Sequence, residues 1–238
     1  MEEPCSRALD HAMSAMPETA DRGSVRTIWY CLANLVLPDA TRWIEPNFAP
    51  ILLAADSKHV SPPVDSCVAA VGDLRKFETM FVEEVRDEDA DAARLLQQAF
   101  KDNDVFTKIG IIVQQFSFSV GDFAGIVGSY ISVAWIAANL APVPGYESYR
   151  RMENVARLAL GGSPVFQHAT PAERRRAAAA LLAQTFFIRS ALIAAGASGN
   201  DTILKRVSDS AHANALRTLG LDLRESRELH DQIFAIAA

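Results

Sequence analysis

Apolar residues recur at helical spacing along almost the whole chain, and nowhere do they alternate as a half-buried strand would. Leu9, Ala12, Met13 and Met16 share one side of a segment from Cys5 to Met16. Ile28, Cys31, Leu32 and Leu35 do the same in a second, which Ser24 can cap and which runs to Leu37. Pro38, Pro46 and Pro50 then cut the chain into an irregular connector around Trp43, Ile44 and Phe48. Beyond Ser61-Pro62-Pro63 the spacing predicts a long helix from Val64 to about Asp87, with Val68, Val71, Phe77, Phe81 and Val85 on its apolar side. A further helix carries Leu95, Leu96, Ala99 and Phe100. Lys101-Asp102-Asn103-Asp104 makes a turn and cap before Val105–Phe116, which is apolar nearly all round.

The stretch from Ser119 to Pro142 is the centre of this pattern. It carries no charge after Asp122, and none follows until Glu147, so it is long enough to consider as a membrane span. Polar Ser129, Ser132 and Asn139 and the lack of a closely flanking Lys or Arg favour a buried helix instead. Ser119 and Asp122 have the spacing of an N-cap box, and Pro142 supplies a stop. Gly121, Gly125 and Ser129 fall four apart, which predicts the face where a neighbouring helix comes closest. The natural neighbour is Val105–Phe116, as an antiparallel hairpin joined at Ser117–Ser119.

The C-terminal pattern is more regular. Tyr146–Leu160 forms a charged helix ended by Gly161-Gly162. Thr170-Pro171-Ala172-Glu173 combines an N-cap, an N1 proline and an N3 glutamate, opening a helix that runs to about Ala195 and stops at Gly196 and Gly199. Asp201–Leu219 follows, with Gly220 at its C-cap, and Asp222 with Glu225 caps a last helix bearing Leu229, Ile233, Phe234 and Ile236. The expected fold is all-α: a multi-helix bundle around a buried central helix 119–141. It forms a single domain 1–238 in which an irregular helical subregion 1–60 packs on the bundle 64–238.

Charge sharpens the picture of partners. Residues 1–119 hold 19 Asp/Glu and 11 Lys/Arg, residues 120–238 hold 10 and 12, and the whole chain is at −6. This acidic balance argues against nucleic acid, which needs a basic surface to neutralise phosphate. Cys5, Cys31 and Cys67 include no CxxC and have no histidine at ligand spacing, so no zinc site is expected; in an oxidising compartment two of them could pair. Met1-Glu2-Glu3-Pro4-Cys5 is acidic and leads into no apolar run, so either the protein is cytoplasmic or a leader has been removed.

Candidate chemistry is sparse, and no catalytic, cofactor or metal residue is assigned. Asp209 and His212, three apart on one helix, could meet as a base and its orienter, but no nucleophile accompanies them. His230-Asp231 lacks the further ligands of a metal-dependent phosphohydrolase, and no Glu-x-x-His occurs. His11, His59 and His168 have no evident partners. Arg189 sits in an apolar run, where it can snorkel outward or pair inside the bundle, with Asp122 as a conceivable partner. Two charge clusters stand out as partner-binding candidates. Glu83, Glu84, Asp87, Glu88, Asp89 and Asp91 place six carboxylates in nine residues and could dock on a basic protein, although a solvated helix junction also explains them. Arg174, Arg175 and Arg176 oppose the macrodipole of the helix they begin, so local stability did not select them; a solvated face explains them as well as an anion or partner site does.

From about Val105 onward the chain resembles an uncharacterised, all-helical proteobacterial family, a domain of unknown function usually made with an export leader. The likeness rests on Gly128-Ser-Tyr-Ile-Ser-Val-Ala-Trp-Ile-Ala-Ala-Asn139, on Thr170-Pro-Ala-Glu-Arg174 with the Ala/Leu-rich helix after it, and on Leu219-Gly-Leu-Asp-Leu223. It implies a periplasmic or secreted setting and transfers no residue role. Together these readings point to a non-enzymatic binding protein acting on another protein, with an inhibitor or immunity-type role as the concrete form. The alternatives are a small-molecule or lipid-binding bundle, for which Phe106, Phe116, Phe118 and Phe123 could line a cavity, or a hydrolase with an unrecognised site. Membrane association through 119–142 is a further possibility, and the oligomeric state is open.

Overall fold

A computed structural model describes residues 74–116 and 118–225. The subregion 1–60, the three cysteines, His11, His59, His230 and the last helix lie outside the described residues. Those residues are 81% helical and contain no strand, so the chain is an all-α bundle. Eight helices follow in order: α1 Phe77–Glu88, α2 Ala90–Asp102, α3 Val105–Gln115, α4 Phe123–Asn139, α5 Tyr146–Gly161, α6 Pro164–His168, α7 Pro171–Ser198 and α8 Asp201–Leu219.

The expected central helix is α4, and every residue from Phe123 to Ala138 is buried. A helix with no polar face needs cover on all sides. α5, α7 and α8 supply it, and all three pack directly on α4. α7 can come close because its own buried stretch begins Ala177-Ala178-Ala179-Ala180. Trp135, Tyr130 and Phe123 are fully buried on α4, and each such side chain stabilises the fold by about 2–3 kcal/mol relative to exposure.

The start of α4 differs from expectation. Asp122, not Ser119, is the N-cap, its carboxylate accepting from the Ala124 amide at 3.2 Å. Ser119 instead makes a turn of its own, Oγ accepting from the Gly121 amide at 3.2 Å. That turn tucks beneath Gly125, where a Cβ would stand 2.9 Å from the Ser119 carbonyl oxygen. The close helix approach is at Gly128, whose missing Cβ leaves room for the Glu153 backbone of α5. The Gly121/Gly125/Ser129 stripe therefore receives a loop at Gly125, and the neighbouring helix arrives one turn later.

α3 also departs from the predicted hairpin with α4. It rests chiefly on α7, and it buries Val105, Phe106, Ile109, Gly110 and Val113. It is not apolar-buried all round, since Ile111 is 55% exposed. At the other end of α4, Leu140 adopts a left-handed conformation at φ 49° and stops the helix two residues before Pro142. At 17 residues α4 spans about 25 Å, short of the roughly 30 Å apolar core of a bilayer. Among the described helices, α7 is the one long and apolar enough to cross a membrane, and 78% of its apolar window is already covered by the rest of the fold.

Before α4, the helix predicted from Val64 to Asp87 is interrupted. Leu74–Lys76 forms a turn, α1 begins at Phe77, and residues 64–73 lie outside the described part. Asp89 ends α1 and caps α2, its Oδ1 accepting from the amides of Asp91 and Ala92, both at 2.9 Å. The resulting hairpin is joined to the body by Phe100, whose ring lies 6.0 Å from Phe187 and 6.1 Å from Phe106. Towards the C-terminus the caps of α7 and α8 form, although α7 continues through Gly196 to Ser198. Thr170 and Glu173 make the reciprocal box at the start of α7, and Gly199 and Gly220 take left-handed conformations after α7 and α8. The short α6, capped by Ser163, was not foreseen.

Candidate functional site

The two charged clusters singled out in the sequence meet in the fold. Arg176, in the first turns of α7, forms an ion pair with Glu84 of α1, each about 70% covered. Glu83 and Asp87, one helical turn apart, are exposed on α1. Asp89 and Asp91 are exposed at the α1–α2 junction, Asp89 engaged as a cap and Asp91 ion-paired with Arg94; Glu88 closes α1. Arg174 turns the other way. Its guanidinium stacks 4.5 Å from the Phe166 ring and donates to the carbonyls of Phe166 at 3.1 Å and Gln167 at 3.4 Å, closing the end of α6. Two of the three arginines thus do tertiary work that outweighs their unfavourable place at a helix N-terminus.

Arg157, Arg224 and Asn214 drew no attention in the sequence. Arg157 on α5 ion-pairs with Asp122 and donates to Glu153 Oε1 at 2.8 Å, all three side chains about four-fifths buried. Burial alone would lower the arginine's pKa; the two carboxylates outweigh it and the shift is upward. The cluster ties the start of α4 to the middle of α5. Its signal lay in Glu153-x-x-x-Arg157, an i,i+4 pair.

Arg224 holds the other end of α4. Its Nε donates to the Ala138 carbonyl at 3.1 Å, and its Nη2 donates to Ser208 Oγ at 2.8 Å and Asp209 Oδ1 at 2.7 Å. Ser208 itself donates to the Ala138 carbonyl at 2.7 Å, and Asn139 donates to the Leu223 carbonyl at 3.1 Å. A cation at a helix C-terminus is doubly favoured, by the orphan carbonyls and by the dipole. Asp209 and His212, which could have met on one face of α8, do not pair. Asp209 belongs to Arg224, while His212 Nδ1 lies 3.8 Å from Asp222 Oδ1. Burial would raise the Asp222 pKa, but the amides of Glu225 and Arg224 together with nearby His212 and Arg224 hold it below the usual carboxylate value. We expect Arg224→Gln to lower stability by about 1–2 kcal/mol, because it removes a charge-assisted bond and one cap of α4. Urea denaturation followed by circular dichroism checks this, and an unchanged midpoint would contradict the capping role.

His168 Nδ1 lies 2.6 Å from the Pro164 carbonyl oxygen within α6. Arg189 is half-buried, and Asp122 is engaged by Arg157. The four phenylalanines do not wall one chamber: Phe106 stacks on Phe100, Phe116 and Phe118 lie 4.8 and 5.7 Å from Tyr149, and Phe123 lies 5.2 Å from Phe166. Among the described residues, no three His, Cys, Asp or Glu side chains gather as a metal site. A shallow groove of about 320 Å³ opens where the turn before α1 meets the start of α7, lined by Lys76, Phe77, Ala172, Glu173, Arg175 and Arg176.

No family model, curated protein or solved structure matches the chain. The arrangement of its own charges is what bears on function.

Proposed function

We propose that the chain is a non-enzymatic helical binding protein that docks on a basic surface of another protein through the acidic edge of the α1–α2 junction. The observation that supports this is the division of carboxylates on α1. Arg176 draws Glu84 inward and so fixes which way the helix faces, leaving Glu83 and Asp87 directed outward beside Asp89 and Asp91. Like charges at i,i+4 repel, so Glu83 and Asp87 detract from the isolated helix and suit an opposite charge elsewhere. An inhibitor or immunity-type role is the form this docking takes, and a periplasmic or secreted setting is part of the same proposal.

The test is cross-linking and co-purification from the source organism with the wild type and the double variant Glu83→Lys/Asp87→Lys. Both positions are exposed, so the variant folds within about 0.5 kcal/mol of the wild type. A stoichiometric partner, released by salt and bound about tenfold or more weakly by the variant, is the expected result. A partner held equally by both proteins, or none at all, removes the proposal. An inhibitor would in addition lower the activity of the purified partner.

A further inference from the structure

Of the three arginines that open α7, the fold employs Arg174 on Phe166 and Arg176 on Glu84. Arg175 has no such employment. It is half-buried, and among the described residues no hydrogen bond or ion pair engages its guanidinium; its Nε, like those of Arg174 and Arg176, is shut off from solvent without a hydrogen-bond partner. Arg175 lines the groove with Lys76, which is exposed and whose Nζ lies 5.6 Å from the Phe77 ring centre. The one carboxylate in the lining, Glu173, is already taken up at the helix cap, accepting from the Thr170 amide at 2.8 Å and from its hydroxyl at 2.7 Å. The groove therefore presents two cations without an acidic partner among the described residues. Beneath them lie the Phe77 ring, the Ala172 methyl and the aliphatic stems of the basic side chains, an apolar floor under a positive rim. A cation in the first turn opposes the helix dipole, so Arg175 does not serve α7 itself.

We propose that this groove binds a small organic anion, a carboxylate carried on an aromatic or short aliphatic body. The guanidinium of Arg175 matches a carboxylate as a two-pronged donor, and Lys76 adds a point charge at the rim. The body of the ligand lies on Phe77. A volume of about 320 Å³ is at the small end of ligand pockets and suits one ring system better than a peptide.

The probe is 2-naphthoate, with 2-naphthalenemethanol as its neutral counterpart, titrated into the full chain and followed by amide chemical shifts. Naphthoate should bind saturably, moving the amides of Phe77, Ala172 and Arg175, and the alcohol should bind about tenfold or more weakly. Arg175→Gln should weaken naphthoate by about tenfold, and Lys76→Gln by several-fold. Lys76 lies on an exposed turn outside any helix, so its variant keeps the test open if Arg175→Gln fails to fold. Equal binding of acid and alcohol, no saturable shifts around Phe77, or affinity unchanged in the folded variants would overturn the proposal. Failure of the acidic-edge docking would leave a positive result here standing.

Discussion

Asn214→Ala should cost the fold about 3 kcal/mol, and Tyr130→Phe added to it should cost almost nothing more. The Tyr130 hydroxyl donates to Asn214 Oδ1 at 2.7 Å, and the Thr218 hydroxyl donates to the same oxygen at 3.1 Å. All three side chains are buried to within 1%. Removing the amide takes away the acceptor of a fully buried phenol, a desolvation cost of about 1–3 kcal/mol. Thr218 can fall back on a carbonyl of its own helix, but the space left by the amide adds a smaller packing loss. Burial drives the phenol pKa far upward, against a weaker pull from Thr218 and Arg217, so the hydroxyl remains a donor at any working pH. Tyr130→Phe alone should cost about 1 kcal/mol, and the cycle should show a coupling of about 1 kcal/mol in urea midpoints at constant slope. Additive losses would mean that the bond does not set how α8 lies along α4.

That bond joins residues 84 apart in sequence, and two others that orient the helices reach at least as far. Arg224 reaches Ala138 across 86 residues, and Arg176 reaches Glu84 across 92. What the sequence made legible was local. Thr170 and Glu173 spell a capping box, Gly199 and Gly220 mark left-handed ends, and the uncharged run after Asp122 marks an innermost helix. What it concealed is the choice of partner. Asp209 and His212 are three apart and could have met, but Arg224 offers Asp209 a charge-assisted bond while also capping a helix. The arginine triplet read as a single patch, yet its members diverge by about 100° per residue and end on a ring, in a groove and on a carboxylate. The acidic run is likewise divided by helix geometry into one inward and several outward groups.

The same limit explains why α3 leaves its sequence neighbour. The Phe118 amide bonds back to the Val113 carbonyl at 3.1 Å, and the Ser119–Gly121 turn then seats itself under Gly125. A connection that coils on itself cannot return α4 along α3, so α3 packs on α7 and α5 takes the vacated face of α4. Small residues announced that some backbone would come close. Which of them met a loop and which a helix depended on that turn.

At Gly128 the backbone of α5 comes close to α4, and Gly128→Leu should therefore destabilise the fold by about 3 kcal/mol or more. A Cβ alone would stand 3.1 Å from Phe118 Cε1, 3.3 Å from Glu153 Cα and 3.4 Å from Glu153 N. The ring can swing, but two of the three obstacles are helix backbone, which can only move as a body. An isobutyl group has no room there, so α5 must withdraw from α4. That withdrawal strains the Arg157–Asp122–Glu153 cluster and the edge-on contact of Phe118 with Tyr149. The gain in helix propensity from replacing glycine, about 1 kcal/mol, works in the opposite direction and is too small to compensate. Gly196→Ala in α7 isolates that gain, since nothing stands within 4 Å of its missing Cβ, and it should be neutral or mildly stabilising. Urea midpoints of the two variants should therefore move apart. If Gly128→Leu unfolds within about 1 kcal/mol of the wild type, α5 is not seated on the α4 backbone, and the close packing of the central helix on that side is wrong.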